Sequence, residues 1–188
     1  MNAVSESSLQ NSQGTAFIEG LLGKGCTKMR KFQYRFTVEA PIASVIAFHE
    51  DARALKLLTP PPMFVQLHQV ETLGEGSIAE FTLWFGPLPI KWRAIHSEVS
   101  ENGFTDTQME GPLKYWKHRH QFIKINENVT EIQEEIAYQY HTGLRGLINR
   151  IMFSKMSLVF LFTARKTLTR RNLKRVVMND SISPNVLN

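Results

Sequence analysis

The chain has 188 residues, 43% of them hydrophobic, with 22 Lys and Arg against 17 Asp and Glu for a net charge of +5. That length and apolar content suit one domain with a substantial core and leave too little for two. The only cysteine, Cys26, excludes an internal disulfide and a thiolate metal site, and the longest uninterrupted apolar run, Leu158 to Phe162, falls far short of a bilayer crossing.

Residues 1–28 are rich in Ser, Gln, Asn and Gly, show no sustained period, and read as a disordered N-terminal segment in which Phe17 to Leu22 offers a short contact. No basic then apolar leader is present, so the expectation is a soluble, cytoplasmic protein. Phe32, Tyr34, Phe36 and Val38 alternate with Gln33, Arg35, Thr37 and Glu39, which predicts a half-buried strand. Pro41 suits the first turn of a helix, with Val45 and Phe48 on one side of it. Leu55 and Leu58 mark a second short helical piece, ended by Thr59, Pro60, Pro61 and Pro62.

From Met63 turn signals arrive about every dozen residues: Gly74 to Gly76, Gly86 to Pro89, Glu101 to Gly103, Gly111 with Pro112, and Asn126 to Asn128. That rhythm predicts about six consecutive antiparallel strands. After Gly146 no Gly or Pro occurs until Pro184, and Leu144, Ile148, Met152, Met156 and Val159 repeat at helical spacing, broadened by Ile151, Phe160 and Phe162. The pattern predicts one long, mostly buried helix. The whole order is an α+β domain in which a curved antiparallel sheet of about seven strands wraps a long C-terminal helix, with two short helices after the first strand. The domain is set at 29–168 and the basic tail at 169–188, partly helical and then disordered.

The most informative segment is a hairpin. Trp116, His118, His120 and Phe122 share one strand face, and after Asn126 to Asn128 the chain returns with Ile132, Glu134, Ile136, Tyr138 and Tyr140 facing the same way. Pairing about that turn opposes His120 to Glu134, His118 to Ile136, Phe122 to Ile132 and Trp116 to Tyr138, and on the outer face Arg119 to Glu135. An ionised carboxylate facing an apolar interior needs a partner, and an imidazole across the strand supplies charge and hydrogen bonds. Glu134 and His120 therefore form a polar island that serves as ligand wall, acid–base pair or satisfied core pair. Two histidines two apart on a strand project to one side; a third metal ligand would have to be His96 or Glu134, and without ordered spacing the expectation is no metal and no cofactor.

Charge is concentrated at the C-terminal end, where Arg165, Lys166, Arg170, Arg171, Lys174 and Arg175 come with no acid among them. Leu168, Leu173, Val176 and Val177 give that segment a weak apolar side. An anionic membrane surface is the partner it would suit, with peripheral attachment to the inner membrane; no nucleic acid is expected, because aromatic residues do not interleave the basic ones.

The order of elements, with Phe36, Pro41, Val45 and Phe48, resembles the START-like or SRPBCC superfamily, the helix-grip fold of birch-pollen allergens and polyketide cyclases, over about Lys31 to Arg165. Leu55, Leu58, Thr59, Pro60 and Pro61, then Gly86 to Pro89 and Trp92, Gly111, Pro112, Trp116, His118, His120, Phe122, Glu134 and Tyr138 resemble a bacterial subgroup labelled cyclase/dehydrase or ligand-binding SRPBCC protein. That subgroup more often has Asp where this chain has Glu134. The resemblance implies a cavity between sheet and long helix that holds a hydrophobic, aromatic or polycyclic, lipid or quinone-like small molecule. Trp92, Trp116, His118, His120, Glu134 and Tyr138 are the expected ligand-binding residues. The alternative is a cyclase or dehydratase in which His120 and Glu134 transfer protons; no nucleophile motif or phosphate loop accompanies them.

Overall fold

The computed structural model describes residues 28–182, with side chains through residue 175. Residues 1–27 of the expected N-terminal segment, Cys26 among them, and the last six residues lie outside the described part.

Each alternating run forms a strand. β1 is Arg30–Val38, β2 Met63–Val70, β3 Ile78–Phe85, β4 Leu88–Ser100, β5 Gly103–Glu110, β6 Tyr115–Asn126 and β7 Val129–Gln139. They make one antiparallel sheet in the order β1-β7-β6-β5-β4-β3-β2, so every strand from β2 to β7 pairs with its sequence neighbour and β1 closes against β7. Helices α1 (Ile42–Glu50) and α2 (Ala54–Leu57) follow β1, and α1 buries Val45 and Phe48 as its spacing requires.

The hairpin β6–β7 has the register derived from its turn, with His120 against Glu134 and Arg119 against Glu135. The β3–β4 hairpin departs from expectation. Pairing about Gly86 to Pro89 would oppose Trp92 to Leu83, but the turn is only Gly86 and Pro87, so Trp92 pairs with Phe81. A shift of two residues keeps the same side chains on the same face, and Trp92 remains buried and stacked on Phe81 at 6.0 Å.

The single long helix of the sequence reading is two, α3 (Gly143–Met152) and α4 (Lys155–Ile182). Phe153 is buried at the break, and the Ser154 hydroxyl accepts from the Ser157 amide at 3.1 Å, capping α4 at its N-terminus. The break changes the phase of the apolar stripe. α4 turns Leu158, Phe162, Thr169 and Leu173 inward, whereas Leu144, Ile148, Ile151, Met156 and Phe160, expected on the buried side, are exposed. α4 lies against β1, with Tyr34 Oη 3.2 Å from Thr163 Oγ1 and the Arg170 guanidinium donating to the Thr37 carbonyl. Thr169 and Leu173 sit in the core, so the packed unit continues past the boundary set at residue 168.

Two apolar clusters fill the space between sheet and helices. One joins Trp92, Trp116, Ile136, Tyr138, Phe153 and Phe162; the other joins Phe36, Val45, Phe48, Phe104, Phe122 and Ile132. Along the inner face of β7 the residue separating Ile132 from Ile136 is Glu134, and on β6 the residues separating Phe122 from Trp116 are His120 and His118. The polar island is thus the seam between the two clusters.

Candidate functional site

Three adjacent strands build the island. β6 supplies His118 and His120, β7 supplies Glu134, and β5 supplies Asp106, which pairs with His118 in the β5–β6 ladder. Gly103 lets β5 come this close: its φ is +140°, and a Cβ there would stand 2.0 Å from the carbonyl oxygen of His120.

The four side chains close a ring. Glu134 Oε2 is 2.8 Å from His118 Nε2 and 2.9 Å from His120 Nδ1, and Asp106 Oδ2 is 3.1 Å from His120 Nε2 and 3.4 Å from His118 Nδ1. His118 Nε2 to Glu134 and His120 Nε2 to Asp106 are well-directed hydrogen bonds. The Nδ1 of His120 approaches Glu134 off the bond direction, so that short contact is an attraction between charges and leaves the nitrogen without a hydrogen-bond partner. Side-chain exposure runs from 4% for His118 to 19% for Asp106.

Burial opposes the charges of Glu134, Asp106 and His120, and their partners outweigh it. Burial alone would raise the Glu134 carboxyl; the charge of His120 and the hydrogen bond from His118 hold it well below the usual carboxylate range. Asp106 is depressed for the same reason, by His118 and His120 against its own burial. Burial would lower His120, yet Glu134 and Asp106 push it up to about 9. Its neighbour His49, on α1, goes the other way. Burial and the charge of His120 press it down to about 4, and its Nδ1–H donates to the Val45 carbonyl at 2.8 Å.

A cavity of about 210 Å³ opens beside the ring. Trp92, Trp116, His118 and His120 are on its wall, as are Asp106 and His49. Glu134 is not; it lies behind the two imidazoles. Tyr138 also stays away from the wall and packs between Trp116 and Tyr140. From α4 the half-buried Arg165 faces the cavity, its guanidinium 5.4 Å over the Phe162 ring and its Nε without a hydrogen-bond partner among the described residues. Burial lowers the Arg165 pKa while Glu134 and Asp106 favour its charge.

Asp106, His49 and Arg165 were not among the residues expected here. For Asp106 a signal existed: pairing β5 with β6 about Pro112 puts it opposite His118. Arg165 was hidden in a basic run whose other members face solvent or the sheet edge, and His49 carried no local signal.

No protein-family model matches this sequence, and no curated protein is similar to it in sequence. Solved structures match closely in shape. The Zhui aromatase/cyclase from Streptomyces sp. R1128 aligns with a TM-score of 0.65 at 15% identity, covering 80% of this chain and 96% of the other. A START superfamily protein from Mycobacterium smegmatis gives 0.61 at 10% identity, covering 78% of this chain and 98% of its own. This chain has the START-like helix-grip fold. Truncated norcoclaurine synthase from Thalictrum flavum shares it, at TM-score 0.58 and 16% identity over 78% of this chain and 96% of that one. Within the START-like fold the chemistry resides in the side chains each chain brings to its cavity, and here these include Trp92, Trp116 and Phe162 together with Asp106, His118, His120 and Arg165.

Proposed function

We propose that the protein binds a hydrophobic small molecule in the cavity between sheet and α4, with an acceptor group of that molecule turned toward Arg165 and the ring. The observation that carries this is the composition of the wall, apolar and aromatic except for a few convergent polar groups, which is how ligand pockets are built. A space of about 210 Å³ exceeds the ~150 Å³ that admits benzene and is below the usual ~300–1,000 Å³ of larger pockets, which favours one or two rings over a polycycle. Trp92 and Trp116 report directly on an occupant. Titration with 1-naphthol should quench their fluorescence, and Ala94→Leu, which fills the cavity, should abolish the effect; equal quenching in both proteins would reject the assignment. Native mass spectrometry of freshly purified protein identifies any molecule retained.

An acid–base role is the second reading, favoured by His120 standing on the cavity wall with Asp106 beside it and Glu134 behind. The aromatase/cyclase and norcoclaurine synthase that share the fold support it. Turnover of a bound ligand, lost in both His120→Gln and Glu134→Gln, would separate an enzyme from a carrier.

For the anionic surface, the favouring observation lies on α3 and the start of α4 more than in the tail. Leu144, Leu147, Ile151, Met156 and Phe160 are exposed among Arg145, Arg150 and Lys155, and no acidic residue occurs between Glu135 and Asp180. A window of 18 residues within Gly143–Arg175 is apolar enough in composition for a bilayer, but the stretch is broken at Phe153 and Ser154 and the inner side of α4 is packed on the sheet. Such a face suits lying on an anionic bilayer. Sedimentation with phosphatidylserine-containing vesicles should be lost on Ile151→Glu with Phe160→Glu; retention would reject this surface.

A further inference from the structure

The sequence offers two candidates, His96 and Glu134, for a third metal ligand beside His118 and His120. His96 is held by Ser77 Oγ at 3.0 Å, its ring edge-on to Phe104. The other, Glu134, lies behind the imidazoles. The sheet supplies a different residue. We propose that Asp106, His118 and His120 form a site for one divalent first-row transition-metal ion at the cavity wall.

Geometry carries the proposal. One donor atom from each of the three side chains lies within 4.8 Å of the others. Asp106 Oδ2 is 3.1 Å from His120 Nε2 and 3.4 Å from His118 Nδ1. Ligands about 2.1 Å from a cation and about 95–110° apart are themselves about 3.1–3.4 Å from one another, so the two spacings from Asp106 match those of a coordination shell. Glu134 takes the supporting position. Ligating histidines commonly give their remote N–H to a carboxylate, which fixes the ring and directs the other nitrogen's lone pair at the metal. His118 donates Nε2–H to Glu134, which leaves Nδ1 toward Asp106, and the remote Nδ1 of His120 is 2.9 Å from the same Glu134 oxygen.

Charge is compatible with this, since Asp106 and Glu134 flank the two imidazoles in largely buried surroundings and a divalent cation offsets both carboxylates in place of an imidazolium proton. Two imidazoles with one carboxylate select a zinc, iron(II) or cobalt(II) class of ion, whereas magnesium and calcium prefer all-oxygen shells. Because Asp106, His118 and His120 reach the cavity and Glu134 does not, the remaining coordination positions open toward the cavity. There an oxygen of an organic ligand would complete the shell. The metal site itself does not depend on which molecule fills the cavity.

The test uses the full chain, free of affinity tag, stripped with EDTA and carrying Cys26→Ser so that no thiolate competes. Titration with Co²⁺ alone, read by visible absorption and calorimetry, should show one equivalent bound without a sulfur charge-transfer band and displaced by Zn²⁺. Asp106→Asn should lower affinity at least about a hundredfold, and Glu134→Gln about 10–100-fold as a lost supporting carboxylate does. His68→Gln, on β2 and hydrogen-bonded to Thr82, should leave it unchanged. Circular dichroism checks that each variant is folded; if Asp106→Asn is not, His118→Gln takes its place. Failure of the parent protein to take up one equivalent of Co²⁺, undiminished affinity in folded Asp106→Asn, or loss in His68→Gln would overturn the site.

Discussion

Glu134→Gln removes one charge from the centre of the ring and keeps the size of the side chain, so its effect isolates the electrostatic part of the island. His120 rises from 6.5 to about 9 in the folded protein against the pull of burial, with Glu134 the largest favourable cause and Asp106 the next. At about 1.4 kcal/mol per unit that difference corresponds to about 3 kcal/mol of stability, and removing one partner of a buried charged pair costs about 3–5 kcal/mol in general. The expected loss at pH 6 in EDTA-treated protein is therefore about 2–4 kcal/mol. The sign follows from a raised folded pKa. His120 contributes fully below its unfolded value near 6.5, and the contribution fades as pH climbs through about 9. The parent protein should thus lose stability between these two values, and Glu134→Gln should be flatter there. Urea unfolding at several pH values measures both, and the ring-proton NMR titration of His120 should fall well below its parent value. An unfolding midpoint equal to the parent's at pH 6, or an unchanged slope through alkaline pH, would refute the electrostatic account.

His49 makes the opposite prediction, because a depressed histidine contributes stability above about 6.5 that is lost as pH falls toward about 4. His49→Phe should flatten urea stability between pH 6.5 and 5, above the range where the carboxyls of Asp106 and Glu134 take up protons in the unfolded chain while staying ionised in the folded one and so add their own loss. Gly103→Ala must push β5 off the His120 carbonyl or distort a left-handed backbone, so thermal unfolding should show a loss above about 2 kcal/mol. The phase of α4 is tested by a pair: Leu158→Ala, at 1% exposure, should cost about 2–5 kcal/mol in urea. Met156→Ala, at 78% exposure, should stay within about 0.5 kcal/mol; similar costs at both positions would contradict the break at Phe153 and Ser154.

The strands and their order were legible because alternation and turn residues are local signals, and consecutive antiparallel strands leave few ways to pair. The β6–β7 register followed from one tight turn and two faces that both had to be satisfied. The β3–β4 register slipped by two residues because Gly86 to Pro89 contains more turn residues than the turn uses. The helical stripe was misjudged for a related reason. A 3.6-residue period carries across Phe153 and Ser154 in sequence, but a serine cap restarts the helix there and turns a new face to the sheet.

By itself the sequence determined the α+β order of elements, the hairpin face bearing His118, His120 and Glu134, and the basic C-terminal run. Only the tertiary structure decided that Asp106 completes the ring, that Arg165 and His49 look into the cavity, that Glu134 and Tyr138 do not, and that among the described residues nothing covers the apolar side of α3. Periodicity reports which side of an element a residue occupies. It does not report which polar residues from non-adjacent elements meet there, and in a buried seam it is those meetings, through desolvation and short-range charge, that set each group's protonation and hence its chemistry.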